Sequence, residues 1–178
     1  GILYAFLALV SWGFGDFLIQ RTSRDYGVWT STFCVTAAGA VFLFPFVFKS
    51  LPALFSSSTI WPLLALGVGT LIVGLTTFSA LKLGKISVVE PIMSFELPLT
   101  ILLVVLLLHE DITSLQMLLT TFVFGGILLV GYTGKMTARH LFEKGALMAL
   151  LAAFLQAGVN FATGLSSQGV GPIETIWF

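Results

Sequence analysis

Three carboxylate side chains lie inside long apolar stretches of this sequence: Asp16, Glu90 and Glu96. An acidic side chain at the centre of a membrane helix costs about 2.5–3.5 kcal/mol. A residue kept at that cost normally faces a polar cavity or a partner, so it is a candidate for binding a solute or a proton. We therefore take these three carboxylates as the first candidates for chemistry.

Glu96 lies ten residues into the 23-residue stretch Ile86–Leu108, close to its centre. Pro98 has no N–H to donate to the carbonyl of Ser94, and Pro91 likewise frees a carbonyl earlier in the stretch. The pattern predicts a broken helix with exposed carbonyls beside a carboxylate, which is typical of cation and proton sites in transporters. The alternative is a kinked structural helix in which Glu96 stays protonated and bonds to a neighbouring helix.

Glu90 and Ser94 are four residues apart and share one face of the same stretch. Glu90 lies nearer the membrane surface than Glu96, and Lys82 or Lys85 across the preceding turn could neutralise it. A structural role is therefore the preferred interpretation of Glu90, and a role in a binding site is the alternative.

Asp16 occupies the first apolar stretch, one turn before Gln20 and near Arg21. One interpretation is an interfacial ion pair. The other is a cavity wall, because Asn160 occupies the equivalent position of an internal repeat described below. Trp12 lies deep in the same stretch and could stack on a flat or cationic part of a solute, with core packing as the alternative.

Metal binding and catalysis find little support in the sequence. His109 and His140 fall in loops without partners at metal-ligand spacing, and the single cysteine, Cys34, can form neither an intrachain disulfide nor a Cys-rich site. The apolar stretches contain no Ser/His, Cys/His or paired-His arrangement. We expect no metal, no cofactor and no enzymatic activity.

The composition places the chain in a lipid bilayer. Of its 178 residues 57% are hydrophobic and 9% are charged, against roughly 45–50% and about 25% in soluble domains. So few charges cannot cover a soluble globule of this length, which excludes a soluble enzyme or binding module. Eight basic and eight acidic residues cancel, so no basic field attracts nucleic acid.

Membrane-spanning helices need about 20 mostly apolar residues. Lipid offers the backbone no hydrogen bonds, so such continuous stretches must be helical, and the alternating pattern of barrel strands is missing. The sequence predicts an all-α, polytopic membrane bundle. Its six predicted spans are Ile2–Ile19, Val28–Phe48, Trp61–Leu81, Ile86–Leu108, Ile112–Tyr132 and Ala146–Leu165.

The distribution of basic residues predicts the orientation. Loops one, three and five contain seven Lys and Arg residues, whereas loops two and four contain only Lys49. The odd loops are therefore expected in the cytoplasm and the amino terminus outside, in the cell (cytoplasmic) membrane. The sequence opens directly in an apolar stretch at Gly1 and stops where a seventh helix is beginning, so we expect a fragment.

An internal repeat appears when the chain is shifted by 144 residues, which aligns 1–34 with 145–178 without a gap. Eight positions are identical, Gly27 and Gly171 among them. One repeat would hold five spans, and because five is odd the second copy must be inverted. Inverted repeats are typical of secondary transporters, with the substrate between the halves. The predicted divisions are 1–134 for the first repeat, 135–144 for a charged loop and 145–178 for the start of the second repeat.

Particular residues also carry a family resemblance. They are Ser11-Trp12-Gly13, Ala80-Leu81-Lys82, Ile86–Val89, Pro98, the Leu-rich run to Leu108, Glu110, Gln116 and Gly126–Gly131. In these the chain resembles the drug/metabolite transporter superfamily and, within it, the EamA-type proteins, whose ten helices form two five-helix repeats. It departs from them at Leu118-Leu119-Thr120, where a glycine is expected, and in having only Lys49 in the second loop. The second departure disagrees with the amino-terminus-inside arrangement usual in that family.

The main hypothesis is a secondary transporter of small organic metabolites or drugs that works by alternating access. Glu96 and Asp16 lead its candidate site, proton coupling through such carboxyl groups is part of the hypothesis, and the resemblance favours export. The surrounding candidates are Trp12, Glu90, Ser94 and Asn160.

The rival hypothesis is a membrane assembly or scaffold subunit without transport activity. Its stripes of small residues would then contact a second polypeptide, and a dimer is left open under either hypothesis. The stripes are Gly145, Ala149, Ala153 and Ala157 in the sixth span, and Ala65 and Gly69 in the third.

Overall fold

A computed structural model describes residues 2–55, 59–109, 113–133 and 143–178. These residues are helical, with short connections and no strand among them. In chain order the helices are α1 (Ile2–Asp25), α2 (Val28–Val47), α3 (Leu51–Leu54), α4 (Ile60–Leu83), α5 (Ile86–Met93), α6 (Glu96–Leu108), α7 (Ser114–Thr133), α8 (Lys144–Val170) and α9 (Pro172–Trp177).

Each predicted span coincides with a helix or, for Ile86–Leu108, with a pair of helices. Four stretches in the described part of the chain are long and apolar enough to cross a bilayer: Val28–Ser50, Ile60–Leu83, Ile86–Leu108 and Lys144–Val170. The predicted α-helical membrane fold is thus confirmed. Membrane crossing by α1 and α7 stays a prediction, since Ser114–Ile127 is a shorter apolar helix by the same measure.

The amino end of α7 has a capping box, as the T-x-x-Q spacing of Thr113 and Gln116 in the sequence predicts. The backbone N–H of Thr113 donates to Gln116 Oε1 at 2.9 Å, and the N–H of Gln116 donates to Thr113 Oγ1 at 3.3 Å. Each side chain therefore satisfies a backbone donor that the first helical turn leaves unpaired.

The first helix is longer than its apolar stretch. The segment from Gln20 onward was predicted to be a polar loop, but α1 continues to Asp25. Gln20 Nε2 donates to the carbonyl of Leu81 at 3.1 Å, and Arg24 Nη2 donates to that of Gly84 at 2.6 Å. These polar residues stay helical because they satisfy carbonyl groups at the carboxyl end of α4.

Two apolar clusters mark the two ends of the bundle. At one end, here called the Gly84 end, Ile19 of α1 packs with Leu81 of α4, Val89 of α5 and Ala146 of α8. At the other, the Val170 end, Val170 of α8 packs with buried residues of α2, α3 and α4, namely Val47, Leu54 and Leu63. Consecutive long helices therefore alternate in direction, and α1 and α8 run in opposite directions.

The predicted repeat has a conformational counterpart. Gly27 and Gly171, which are 144 residues apart, precede α2 and α9 with φ values of 92° and 109°. Residues with a Cβ atom rarely adopt such positive φ values, which explains why glycine occupies both turns. Gly27 follows the helix that ends near Gly84, whereas Gly171 follows Val170 at the opposite end. This agrees with an inverted repeat, although the boundaries 1–134 and 145–178 stay predictions.

The small residues of α8 pack inside this chain. Ala149, Ala153 and Ala157 are buried, and α8 lies along α4, α5 and α6. A Cβ placed on Gly145 would stand 2.4 Å from the Cα of Gly84, so the two backbones touch. The expectation from the rival hypothesis that this stripe contacts another polypeptide is therefore wrong.

The stripe predicted in the third span is only half present. Gly69 approaches Val159 of α8, since a Cβ placed on it would lie 3.3 Å from Val159 Cγ2. Ala65 is exposed. Of the two residues predicted to form this stripe, Gly69 therefore contacts α8 and Ala65 remains exposed.

Candidate functional site

The fourth predicted span is broken near its centre. The helix stops after Met93 and restarts at Glu96, with Ser94 and Phe95 forming a turn between α5 and α6. Glu96 is therefore the first residue of α6. It lies ten residues along the span, or about 15 Å at roughly 1.5 Å per residue, which is half the thickness of the hydrocarbon core.

The break differs in detail from its prediction. Pro98 does leave the carbonyl of Ser94 without its helical donor, but this carbonyl is not free. The N–H of Leu97, one residue earlier, donates to it at 3.4 Å, because the tighter turn supplies the nearest N–H group. The hydroxyl of Ser94 donates to the carbonyl of Glu90 at 2.9 Å. Exposed carbonyls at Ser94 are therefore not part of the site.

The three predicted carboxylates lie close enough for their charges to influence one another. Asp16 on α1, Glu90 on α5 and Glu96 at the start of α6 are each half-buried. The charge of Asp16 acts on both glutamates, and the charge of Glu96 acts on Glu90. Helices distant in sequence thus assemble one acidic cluster, hereafter the carboxylate cluster.

Cations do not neutralise this cluster from within the described part of the chain. The two ion-pair interpretations expected Arg21 beside Asp16, and Lys82 or Lys85 beside Glu90. No such pair forms among residues 2–55, 59–109, 113–133 and 143–178. Arg24, the other basic residue nearby, donates instead to backbone carbonyls of α4. The structural interpretations of Asp16 and Glu90 as ion-pair partners are therefore wrong.

Asn160 lies in a different place from the carboxylates. It lines a cavity of about 270 Å³ between α6 and α8, and none of Asp16, Glu90 or Glu96 belongs to the lining. Its Oδ1 accepts a hydrogen bond from Gln156 Nε2 at 2.8 Å. The predicted pairing of Asp16 with Asn160 across one hollow is not seen in this cavity.

The cavity includes polar residues that the sequence reasoning missed, Thr100 on α6 and Gln168 on α8. A spacing signal could have found them. Asn160, Gly164 and Gln168 recur every four residues on α8, and Thr100 follows Glu96 by four on α6. Residues four apart lie on the same side of a helix.

Trp12 lies on the outside of the described structure. Its side chain is 72% exposed, so core packing within this chain, the alternative for Trp12, is wrong. It precedes Asp16 by one helical turn and shares its side of α1. A stacking role for Trp12 stays a prediction.

Metal ligands do not gather in the described residues, where no group of three His, Cys, Asp or Glu side chains could hold an ion. His109 is exposed and ends α6 in a left-handed conformation with φ of 52°. His140, Glu110, Lys135 and Arg139 lie outside the described residues.

Residues 1–132 match the family model described as the EamA-like transporter family. No curated protein and no solved structure matches the chain. The matched residues include α1 to α6 and nearly all of α7, and hence the whole carboxylate cluster.

Proposed function

The chain belongs to the EamA-like transporter family, a family of multi-pass membrane transporters of small solutes, and we propose that it moves small organic metabolites or drugs by proton-coupled alternating access. The carboxylate cluster is the observation that carries the proposal. Asp16, Glu90 and Glu96 approach one another within a lipid-embedded bundle without a cation from the described residues to balance them.

Protons are the simplest partners for such a cluster. Like charges held close together in a medium of low dielectric constant repel one another, so the three groups cannot all remain ionised without a bound positive charge. A proton shared among them relieves the repulsion, and its release or uptake changes how strongly α1, α5 and α6 hold together. In the proposal this change links protonation to helix movement. Trp12 and Ser94, each one turn from a carboxylate, complete the surroundings of the site.

Alternating access is supported by the unequal packing along α8. At the Gly84 end α8 touches α4 backbone to backbone, beside a buried apolar cluster. Towards the Val170 end α8 and α6 line the cavity that contains Asn160. Glu90 directly follows Val89 of that apolar cluster, and Glu96 precedes Thr100 of the cavity lining by four residues. In the proposal, movement of α8 about its fixed contact at Gly145 opens and closes the cavity.

The direction of transport and the orientation belong to the same proposal. Loops one and three, which contain four of the basic residues, meet at the Gly84 end, and we place that end in the cytoplasm and the amino terminus outside. Export is the proposed direction. Labelling of Lys85→Cys, in the full-length protein with its native cysteines replaced by serine, tests the orientation: reagent that stays outside the cell should not reach it.

The transport test uses the full-length protein in sealed vesicles and compares Glu96→Gln with the parent protein over a range of external pH. A neutral amide cannot bind or release the proton, so solute flux should fall about tenfold or more and lose its dependence on pH. Asp25→Asn is the matched control, because Asp25 is an exposed carboxylate at the end of α1. Unchanged flux and unchanged pH dependence in Glu96→Gln would contradict the proposal.

A further inference from the structure

The cavity between α6 and α8 has a lining without any ionisable side chain. From this lining we propose that the cavity binds the transported solute, and that the solute is an uncharged molecule with hydrogen-bonding groups on an apolar body. The inference rests on the proposed transport function and names its substrate class. The lining residues are Thr100, Val104, Leu108, Asn160, Phe161, Gly164, Leu165 and Gln168.

The polar groups of the lining offer both donors and acceptors. Because Asn160 Oδ1 already accepts from Gln156, the Nδ2 group of Asn160 remains to donate. The hydroxyl hydrogen of Thr100 is used on the carbonyl of Glu96 at 2.8 Å, so its oxygen remains to accept. The amide of Gln168 supplies one of each kind. A hydroxyl, amide or carbonyl group on the solute fits this set.

The rest of the lining is apolar and selects against charge. Val104, Leu108, Phe161 and Leu165 form most of the walls. Removing a charged group from water without an opposite charge costs several kcal/mol, and no lining residue supplies one. The volume of about 270 Å³ is close to the lower end of the roughly 300–1,000 Å³ found for ligand pockets, so the solute is small.

The cavity and the carboxylate cluster are neighbours along α6. Thr100, which lines the cavity, follows Glu96 by four residues on the same side of α6, and Val104 and Leu108 continue the lining further along the helix. The hydrogen bond from Thr100 to the carbonyl of Glu96 joins the first turn of α6 to the lining. Solute and proton thus occupy adjacent sites, which allows each to influence the other through α6 without direct contact.

A larger side chain at Gly164, which lines the cavity, is expected to fill it. A Cβ placed on it meets nothing within 4 Å, so Gly164→Leu extends into open space. Gly158 is the matched control: it lies on the same helix, its Cβ would also meet nothing within 4 Å, and it is not part of the lining. Gly164→Ala gives a milder second variant should the leucine disturb folding, which size-exclusion profiles would reveal.

The experiment measures binding to the full-length protein in detergent by thermal shift, with two sets of size-matched probes. One set is nicotinamide, nicotinate and 1-methylnicotinamide, and the other is 2-phenylethanol, phenylacetate and phenethylammonium. The uncharged member of at least one set should bind at least tenfold more tightly than its charged analogues. Gly164→Leu should abolish that binding, Asn160→Leu should weaken it about tenfold through the loss of one hydrogen bond, and Gly158→Leu should preserve it.

Charged probes that bind as tightly as the uncharged ones, no binding by either uncharged probe, or equal binding to Gly164→Leu and Gly158→Leu would each overturn the inference. Its failure is distinguishable from that of the proposed function. Glu96-dependent transport of a charged solute that Gly164→Leu leaves intact overturns the cavity assignment alone. Uncharged binding without any transport in vesicles contradicts the transport proposal alone.

Discussion

The backbone contact between Gly145 and Gly84 makes a sharp prediction about stability. In Gly145→Ala the new Cβ would stand 2.4 Å from Gly84 Cα and 2.5 Å from Gly84 N. These are backbone atoms and cannot turn aside as a flexible side chain could. Restoring an ordinary contact of 3.4 Å requires α8 and α4 to separate by 3.4 − 2.4 = 1.0 Å at this point.

That separation also disturbs the buried cluster beside it, where Ala146 and Ala149 of α8 pack against Ala80 and Leu81 of α4. Overpacking of this kind costs about 1–3 kcal/mol, and alanine in place of glycine in a helix returns about 0.5–1 kcal/mol. We expect Gly145→Ala to lower the free energy of unfolding by about 1–2 kcal/mol, the difference between these two effects.

The control is Gly158→Ala in the same helix, where a Cβ meets nothing within 4 Å. It should keep the helix-propensity gain and raise the free energy of unfolding by about 0.5 kcal/mol. The assay is equilibrium unfolding of the full-length protein in mild detergent, titrated with a denaturing detergent. Equal stability of the two alanine variants would refute the close backbone contact and, with it, the fixed point about which α8 is proposed to move.

Two further predictions concern helix ends. Arg24→Ala removes donors from carbonyls at the end of α4 and should lower the free energy of unfolding by about 1 kcal/mol. Arg21→Ala removes an exposed side chain from α1, the helix that also contains Arg24, and should change the free energy of unfolding little. Equal effects of the two variants in the unfolding assay would contradict the role of Arg24 in capping α4. Thr113→Ala breaks the reciprocal bonds with Gln116 and should cost about 1 kcal/mol. Its measurement is hydrogen exchange in the first turn of α7, which should become faster, and unchanged exchange would contradict the capping role.

The sequence was sufficient for the helices because lipid restricts the backbone so strongly. A long apolar stretch has no alternative to a helix when water is absent, and every predicted span has one. The capping box at Thr113 was equally predictable, since all its bonds lie within four residues. The extension of α1 to Asp25 was not, because the partners of Gln20 and Arg24 are carbonyls about 60 residues away.

The site was predictable in part. Charge inside apolar stretches identified Asp16, Glu90 and Glu96. Whether the three side chains face one another depends on how each helix is rotated about its axis, and a uniformly apolar span gives no indication of that rotation. The exposed position of Trp12 was missed for the same reason. Pro98 allowed the helix break to be predicted within one turn of Ser94. The sequence did not predict that the N–H of Leu97 would donate to the carbonyl of Ser94, because that bond depends on the local backbone geometry. The lining residues Thr100 and Gln168 are uncharged residues of common types, so only their four-residue spacing from Glu96 and Gly164 indicates a place in the cavity.

The central claim is that the carboxylate cluster carries the coupled proton, and proton movement itself tests this most directly. Full-length protein is reconstituted in vesicles containing a pH-sensitive dye, and a transported solute is added on one side without an imposed pH gradient. We predict a solute-driven pH change for the parent protein and for the Asp25→Asn control, and none for the combined Asp16→Asn, Glu90→Gln and Glu96→Gln variant. A pH change of undiminished size in the triple variant would contradict the account.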